Sequence, residues 1–222
     1  MKQTKTNVAN LKKDFVTALR IISRAGLSDA FAHVSARMNG GKTMLFMPRK
    51  SPVLVKLNEL FVVDFDKIVP QSTVHQAVYK LRDDVGAVFH FHSPAVIVLS
   101  VVGQTIKPMH NYSAIFFEGV PVFEGTGQVE SPQREGEIAQ LLGPAKAVIL
   151  RGHGAVVVGR DLHEACILSI YLEESARPQV EALKLGTPKV ISQQEAERIT
   201  KKTFKPASTE RAWEHFANKA SR

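Results

Sequence analysis

The chain of 222 residues has one cysteine. Cys166 cannot form an internal disulfide, which fits a reducing, cytoplasmic compartment, and its neighbours predict a helix interior and a packed thiol. No run of about 18 apolar residues occurs, so no membrane-spanning segment is expected. The opening "MKQTKTNVANLKK" is basic, but it leads into an amphipathic pattern instead of an apolar stretch, unlike a secretory signal. Aromatic residues make up only 7%. The net charge of +8 comes from dispersed Lys and Arg, densest near the two ends. No helix-turn-helix, zinc-finger or RNA-binding signature accompanies it, which argues against nucleic acid as a partner. A solvated basic surface is the expectation, and it would also steer acidic small molecules inward. Internal repeats and low-complexity segments are lacking too. With 44% hydrophobic and 23% charged residues, the composition predicts one compact soluble domain over 1–222, with 187–222 as a helical C-terminal tail.

Val8, Leu11, Phe15, Leu19 and Ile22 recur at helical spacing, predicting a first helix over 7–25 that Gly26 ends. "DAFAHVSARM" and "TMLFMP" read as a hairpin closed by Asn39-Gly40-Gly41. "LFVVDFD" reads as a short strand. "TVHQAVYKLR" predicts a helix with Ser72 or Thr73 as N-cap, and "VGAVFHFH" a buried strand. A second alternation runs from the helix "SPQREGEIAQLLGP" to "AKAVILRGHGAVVVGR". "DLHEACILSIYLEESARPQVEAL" predicts a long helix ending or bending near Pro178, and "ERAWEHFANKA" a terminal amphipathic helix carrying the single tryptophan. The order of elements predicts a layered α/β domain.

Chemistry concentrates in "VFHFHSPAV". A strand alternates its faces, so Val88, His90 and His92 share one surface while Phe89 and Phe91 share the other. The two imidazoles would then stand roughly 6 to 7 Å apart at Cβ level, close enough to grip one ion. The alternative is a pair of hydrogen-bonded core histidines. In "VILRGHGAVVVGR", two glycines flank His153, let the backbone bend and present a third imidazole. Together the three make a metal site with open positions a reasonable expectation.

The pieces "GLSDAFAHVSAR", "HQAVYKLRDDVGAVFHFHSP", "EGVPVFEGTG" and "RGHGAVVVGRDLHEA" occur in an order and spacing that resemble the class II aldolase/adducin family. The resemblance implies a single three-layer α/β domain on a central, mostly antiparallel sheet, assembled as a homotetramer. It also implies a divalent metal on His90, His92 and His153, with zinc, manganese or iron as candidates. Where sugar-phosphate aldolases of the family hold phosphate, this chain has Phe31-Ala32-His33 and Pro48-Arg49-Lys50. It looks closer to the branch that decarboxylates hydroxylated aromatic or heteroaromatic acids.

For such a carboxylate substrate, Arg49, with Lys50 and His33, supplies charge-assisted donors. The family's usual Glu is replaced by Gln71, which cannot shuttle a proton at neutral pH. His75, His110, Tyr112 or a water is left for that role, with His75 favoured because helical spacing would keep it on the side of Gln71. His163 and His215 read as surface residues. Three functions follow: a metal-dependent carbon–carbon lyase that decarboxylates a small aromatic acid, an aldolase or epimerase acting on a small hydroxy-carbonyl compound, or a noncatalytic module like the adducin head. A nonhaem iron oxygenase variant shares the same ligand set.

Overall fold

The computed structural model describes residues 8–38, 41–125 and 131–222. Asn39 and Gly40 of the expected turn, and the end of "EGVPVFEGTG", lie outside them. Helix α1 (Val8–Arg24) buries Phe15, Leu19 and Ile22 as their spacing demands. Gly26 ends it at φ 71°, where the amide of Leu27 bonds the Ile22 carbonyl and that of Gly26 bonds Ser23. A left-handed glycine closing a helix in this way satisfies carbonyls that the helix leaves over.

Strands β1 (His33–Arg37) and β2 (Thr43–Phe46) form the expected hairpin, and β3 (Phe61–Asp64) follows. The first strand is shorter than "DAFAHVSARM" suggested, because residues 29–32 form a bend held by Asp29. Helix α2 (Thr73–Leu81) leads to β4 (Ala87–Phe91), α3 (Pro94–Val101), β5 (Val122–Phe123) and α4 (Pro132–Leu142). Strands β6 (Ala147–Leu150) and β7 (Gly154–Gly159) precede α5 (Leu162–Leu185), α6 (Gln193–Thr203) and α7 (Pro206–Ser221). Periodicity had not announced α3, an apolar stretch with no polar face, or the polar α6.

The seven strands form one sheet in the order β3-β2-β1-β4-β7-β6-β5. It is a mixed sheet, which corrects the expected description: β5 runs parallel to β6, while the remaining neighbours pair antiparallel. The parallel edge arises because α4 carries the chain back between β5 and β6, a crossover that a hairpin cannot make. One face, with Val34, Phe89, Phe91, Ile149 and Val157, packs on α1, α3 and α5. The other, with Val88, Val148 and Val156, packs on α2 and α4. The result is three layers, and each fully buried Phe contributes about 1.5–3 kcal/mol.

Helix α5 runs through Pro178 to Leu185, so the expected end there is not found. Pro178 and Glu174, whose carbonyl it leaves without a partner in the helix, both lie on the exposed side. The buried side holds the helix together, with Gln179 bonded to the Lys107 amide and the Thr105 carbonyl. Trp213 of α7 joins the α1–α5 core and stacks on His163 at 4.0 Å. His163 also lies 3.0 Å from Glu210 and 3.6 Å from Asp14, so it clasps three helices instead of facing solvent. Among the described residues, no helix is long and apolar enough to cross a membrane.

Candidate metal centre

The centre forms where β4 lies between β1 and β7. The register sets His33 opposite His90 across the β1–β4 ladder, with ring centroids 4.7 Å apart. His92 lies just past the strand, at the bend into α3, and still turns to the side of His90. That bend is held by Glu173 of α5, whose carboxylate accepts from the Ser93 hydroxyl and from the Ala95 amide. His153 arrives on the turn between β6 and β7, where Gly152 has φ 69°. A Cβ on Gly154 would overlap the carbonyl oxygen of Phe91, so only glycine lets this turn press against β4. One ring nitrogen each of His90, His92 and His153 lies within 4.8 Å of the others, so the three could hold an ion.

Hydrogen bonds fix two of these rings. His90 Nδ1 lies 3.1 Å from the Ala155 carbonyl and His92 Nδ1 lies 2.7 Å from the Asp29 carboxylate. Both partners accept, so both Nδ1 atoms carry the proton and both Nε2 atoms present lone pairs. Yet those Nε2 atoms stand 3.2 Å apart, with His153 Nε2 3.1 Å from that of His92. Facing lone pairs repel, and a cation among them turns the repulsion into ligation. Three imidazoles backed by a carboxylate and a carbonyl suit zinc, manganese or iron. The residues therefore fit a divalent ion.

The surroundings are tuned electrostatically. Burial alone would raise the Asp29 carboxyl, but hydrogen bonds from His92 and the Phe31 amide outweigh it and hold the group below its usual range. Burial, reinforced by neighbouring imidazoles, keeps His33 and His90 well below the ordinary histidine value. His75 is pushed down to about 3, again chiefly by burial.

The other expected site residues are distributed unevenly. His33 stands beside the metal centre. His75 is fully buried behind it, bonded to His33 on one side and to Ser35 on the other. Gln71 precedes α2 in a left-handed conformation at φ 68°, so the helical spacing that was to link it with His75 does not apply. Arg49 is exposed in the bend after β2, whereas Lys50 is paired with Glu59 at 2.9 Å. Tyr112 stacks flat on Tyr171 of α5 at 4.5 Å. Ser72 occupies the N-cap position of α2 without capping through its side chain; its hydroxyl donates to the Val69 carbonyl. Cys166 is buried, and burial pushes its thiol up, as expected of a packed residue. Sequence reasoning missed Asp29, Ser35, Tyr79 and Glu173. Asp29 and Ser35 lay inside the quoted "SDAFAHVS", but no periodicity marks a carboxylate that reaches a histidine far along the chain.

A layered α/β fold with three converging imidazoles at a central strand defines the class. The chain belongs to the Class II Aldolase and Adducin N-terminal domain family, whose pattern matches residues 13–180. Metal binding is typical of that family. A 5-methylthioribulose-1-phosphate/5-deoxyribulose-1-phosphate aldolase of Rhodospirillum rubrum is 27% identical over 205 residues, covering 86% of this chain and 90% of its own. The decarboxylase tropJ of Talaromyces stipitatus is 24% identical over 209 residues, covering 78% and 77% respectively. Among solved structures, an L-fuculose 1-phosphate aldolase of Glaciozyma antarctica superposes with a TM-score of 0.85 at 23% identity, covering 99% of this chain and 93% of that one. This last likeness concerns the fold.

Proposed function

We propose that this chain is a metal-dependent carbon–carbon lyase that decarboxylates a small hydroxylated aromatic or heteroaromatic carboxylic acid. The observation that carries the reading is the group beside the imidazole trio. It is His33, held neutral by burial, while glutamine stands at position 71 where the family resemblance places a glutamate. Aldol cleavage begins by taking a proton from a hydroxyl and calls for a base. In decarboxylation the carboxylate leaves as carbon dioxide, and its bonding electrons pass into the ring, so the cleaving step needs no base. It needs a charge sink, an oriented carboxylate and, afterwards, one proton for the ring carbon.

His90, His92 and His153 would hold a divalent ion, which would supply Lewis acidity toward the negative charge left by cleavage. Asp29 and the Ala155 carbonyl hold two of its ligands in the correct tautomer. His33 donates a hydrogen bond to the substrate, and Arg49, exposed nearby in sequence to β2, receives the carboxylate before release. The decarboxylase among the relatives supports this reading, and the aldolase keeps cleavage of a hydroxy-carbonyl compound as its rival.

The test is product analysis on purified protein loaded in turn with zinc, manganese and iron. Ortho-hydroxy aromatic carboxylates should release carbon dioxide, and His92→Ala should abolish both metal uptake and release. An aldehyde or ketone formed from hydroxy-carbonyl compounds, with no carbon dioxide from any acid, would establish the aldolase instead. Protein that takes up no divalent ion would leave the interaction module like the adducin head.

A further inference from the structure

Behind His33 runs a buried chain of polar groups. His33 Nδ1 lies 2.7 Å from His75 Nε2, and His75 Nδ1 lies 2.7 Å from Ser35 Oγ. Ser35 Oγ in turn lies 2.8 Å from the Tyr79 hydroxyl. Ser35 and His75 are fully buried and Tyr79 is 1% exposed. These groups come from β1 and α2. Each link can hold only one proton, so whichever way the first bond points, the others must follow.

The Tyr79 end sets the direction. Among the described residues, Ser35 Oγ is the one hydrogen-bonding partner of the buried Tyr79 hydroxyl, while the Arg37 guanidinium carbon lies over the ring, 4.8 Å from its centroid. A buried hydroxyl proton needs an acceptor, and Ser35 Oγ is the one within reach, so the hydroxyl proton of Tyr79 turns to Ser35. Ser35 then donates to His75 Nδ1, and His75 carries its own proton on Nε2 and donates it to His33 Nδ1. His33 is left with its proton on Nε2, on the edge turned away from His75.

Resting on the lyase reading above, we infer that Tyr79, Ser35 and His75 are positioning residues that lock His33 in its Nε2–H tautomer, so that it meets the substrate as a hydrogen-bond donor. A fixed donor of this kind stabilises charge developing on a carboxylate or phenolic oxygen without reorganising during the reaction. The same chain could instead be imagined as a proton wire, and its far end decides against that. If His33 gave up its Nε2 proton and refilled through Nδ1, each link would shift by one proton and the deficit would end on Tyr79 as a buried phenolate. Burial raises the Tyr79 hydroxyl far above its ordinary range. The relay therefore holds a tautomer.

The experiment is nitrogen-15 NMR of the zinc-loaded protein with labelled histidine, in which protonated and unprotonated ring nitrogens are distinguished directly. His33 and His75 should each show a protonated Nε2 and a bare Nδ1. Ser35→Ala removes the donor to His75 and should replace the single tautomer of each ring by a mixture, with zinc stoichiometry unchanged; Tyr79→Phe should weaken the bias in the same direction. The reverse pattern in the wild type, with both protons on Nδ1, overturns the inference even if a variant folds poorly. Unaltered tautomers in both variants overturn it as well. Because the readout is spectroscopic, it is separable from activity: carbon dioxide release without the expected tautomers defeats the relay alone, and the expected tautomers without any turnover defeat the lyase reading alone.

Discussion

Asp29 Oδ2 lies 2.7 Å from Nδ1 of His92, joining the bend before β1 to the bend after β4. On the proposed metal site this pair would orient a ligand from outside the ligand set, and removing such a partner typically lowers metal affinity about 10–100-fold. Asp29→Ala should do so in a competition titration against a chromogenic chelator, with a modest loss of stability in the metal-free protein because the bend also loses its bond to the Phe31 amide. Unchanged affinity would mean that His92 is oriented by its backbone alone.

Gly154 and Gly152 should respond differently to alanine. At Gly152, φ 69° strains an L-residue but the space is open apart from Val101 at 3.7 Å, so Gly152→Ala should cost about 1–2 kcal/mol. At Gly154 the added methyl meets the Phe91 carbonyl, so β7 must separate from β4. Urea unfolding should show a clearly larger loss for Gly154→Ala, accompanied by loss of metal.

Acid should destabilise the metal-free protein through its buried histidines. The folded pKa of His75 is about 3, below the ordinary 6.5, so unfolding takes up a proton between these values. Its stabilising contribution is therefore complete above pH 6.5 and is lost as pH falls toward 3. Each such group adds a slope of about 1.4 kcal/mol per pH unit within that window. Urea titrations from pH 7 to pH 4 should show a shallower dependence in His75→Gln than in the wild type, by about one proton. Parallel slopes would mean that His75 does not stay neutral in the fold.

Glu173 is 3% exposed and joins Ser93, the Ala95 amide and Arg177. Glu173→Ala leaves buried donors at the start of α3 unpaired, at about 1–3 kcal/mol for such a loss. Because His92 immediately precedes Ser93, metal affinity should fall as well. A drop in stability with affinity intact would separate the α3 cap from the ligand.

Much of this was readable from residue order. The alternation in "VFHFH" separated Phe89 and Phe91, which enter the α5-side core, from the face of His90. The glycines around His153 announced a bend, and Trp213 marked the terminal helix. Helical spacing misled at Gln71, because the chain turns left-handed there before α2 begins. At Pro178 the helix does not end, because buried contacts along one side of α5 outweigh one lost backbone bond.

The sequence by itself determined most of the elements, though not α3 or α6, together with the three imidazoles and the family, since these follow from local periodicity, glycine placement and motif order. Only the tertiary structure decided that β5 joins parallel to β6, that His33 faces His90, that Asp29 backs His92, and that His75 lies in hydrogen-bonding contact behind His33. Those relations depend on strand register and on contacts between residues far apart in the chain. A hydrogen bond 2.7 Å long across 63 residues leaves no periodic trace in the order of amino acids.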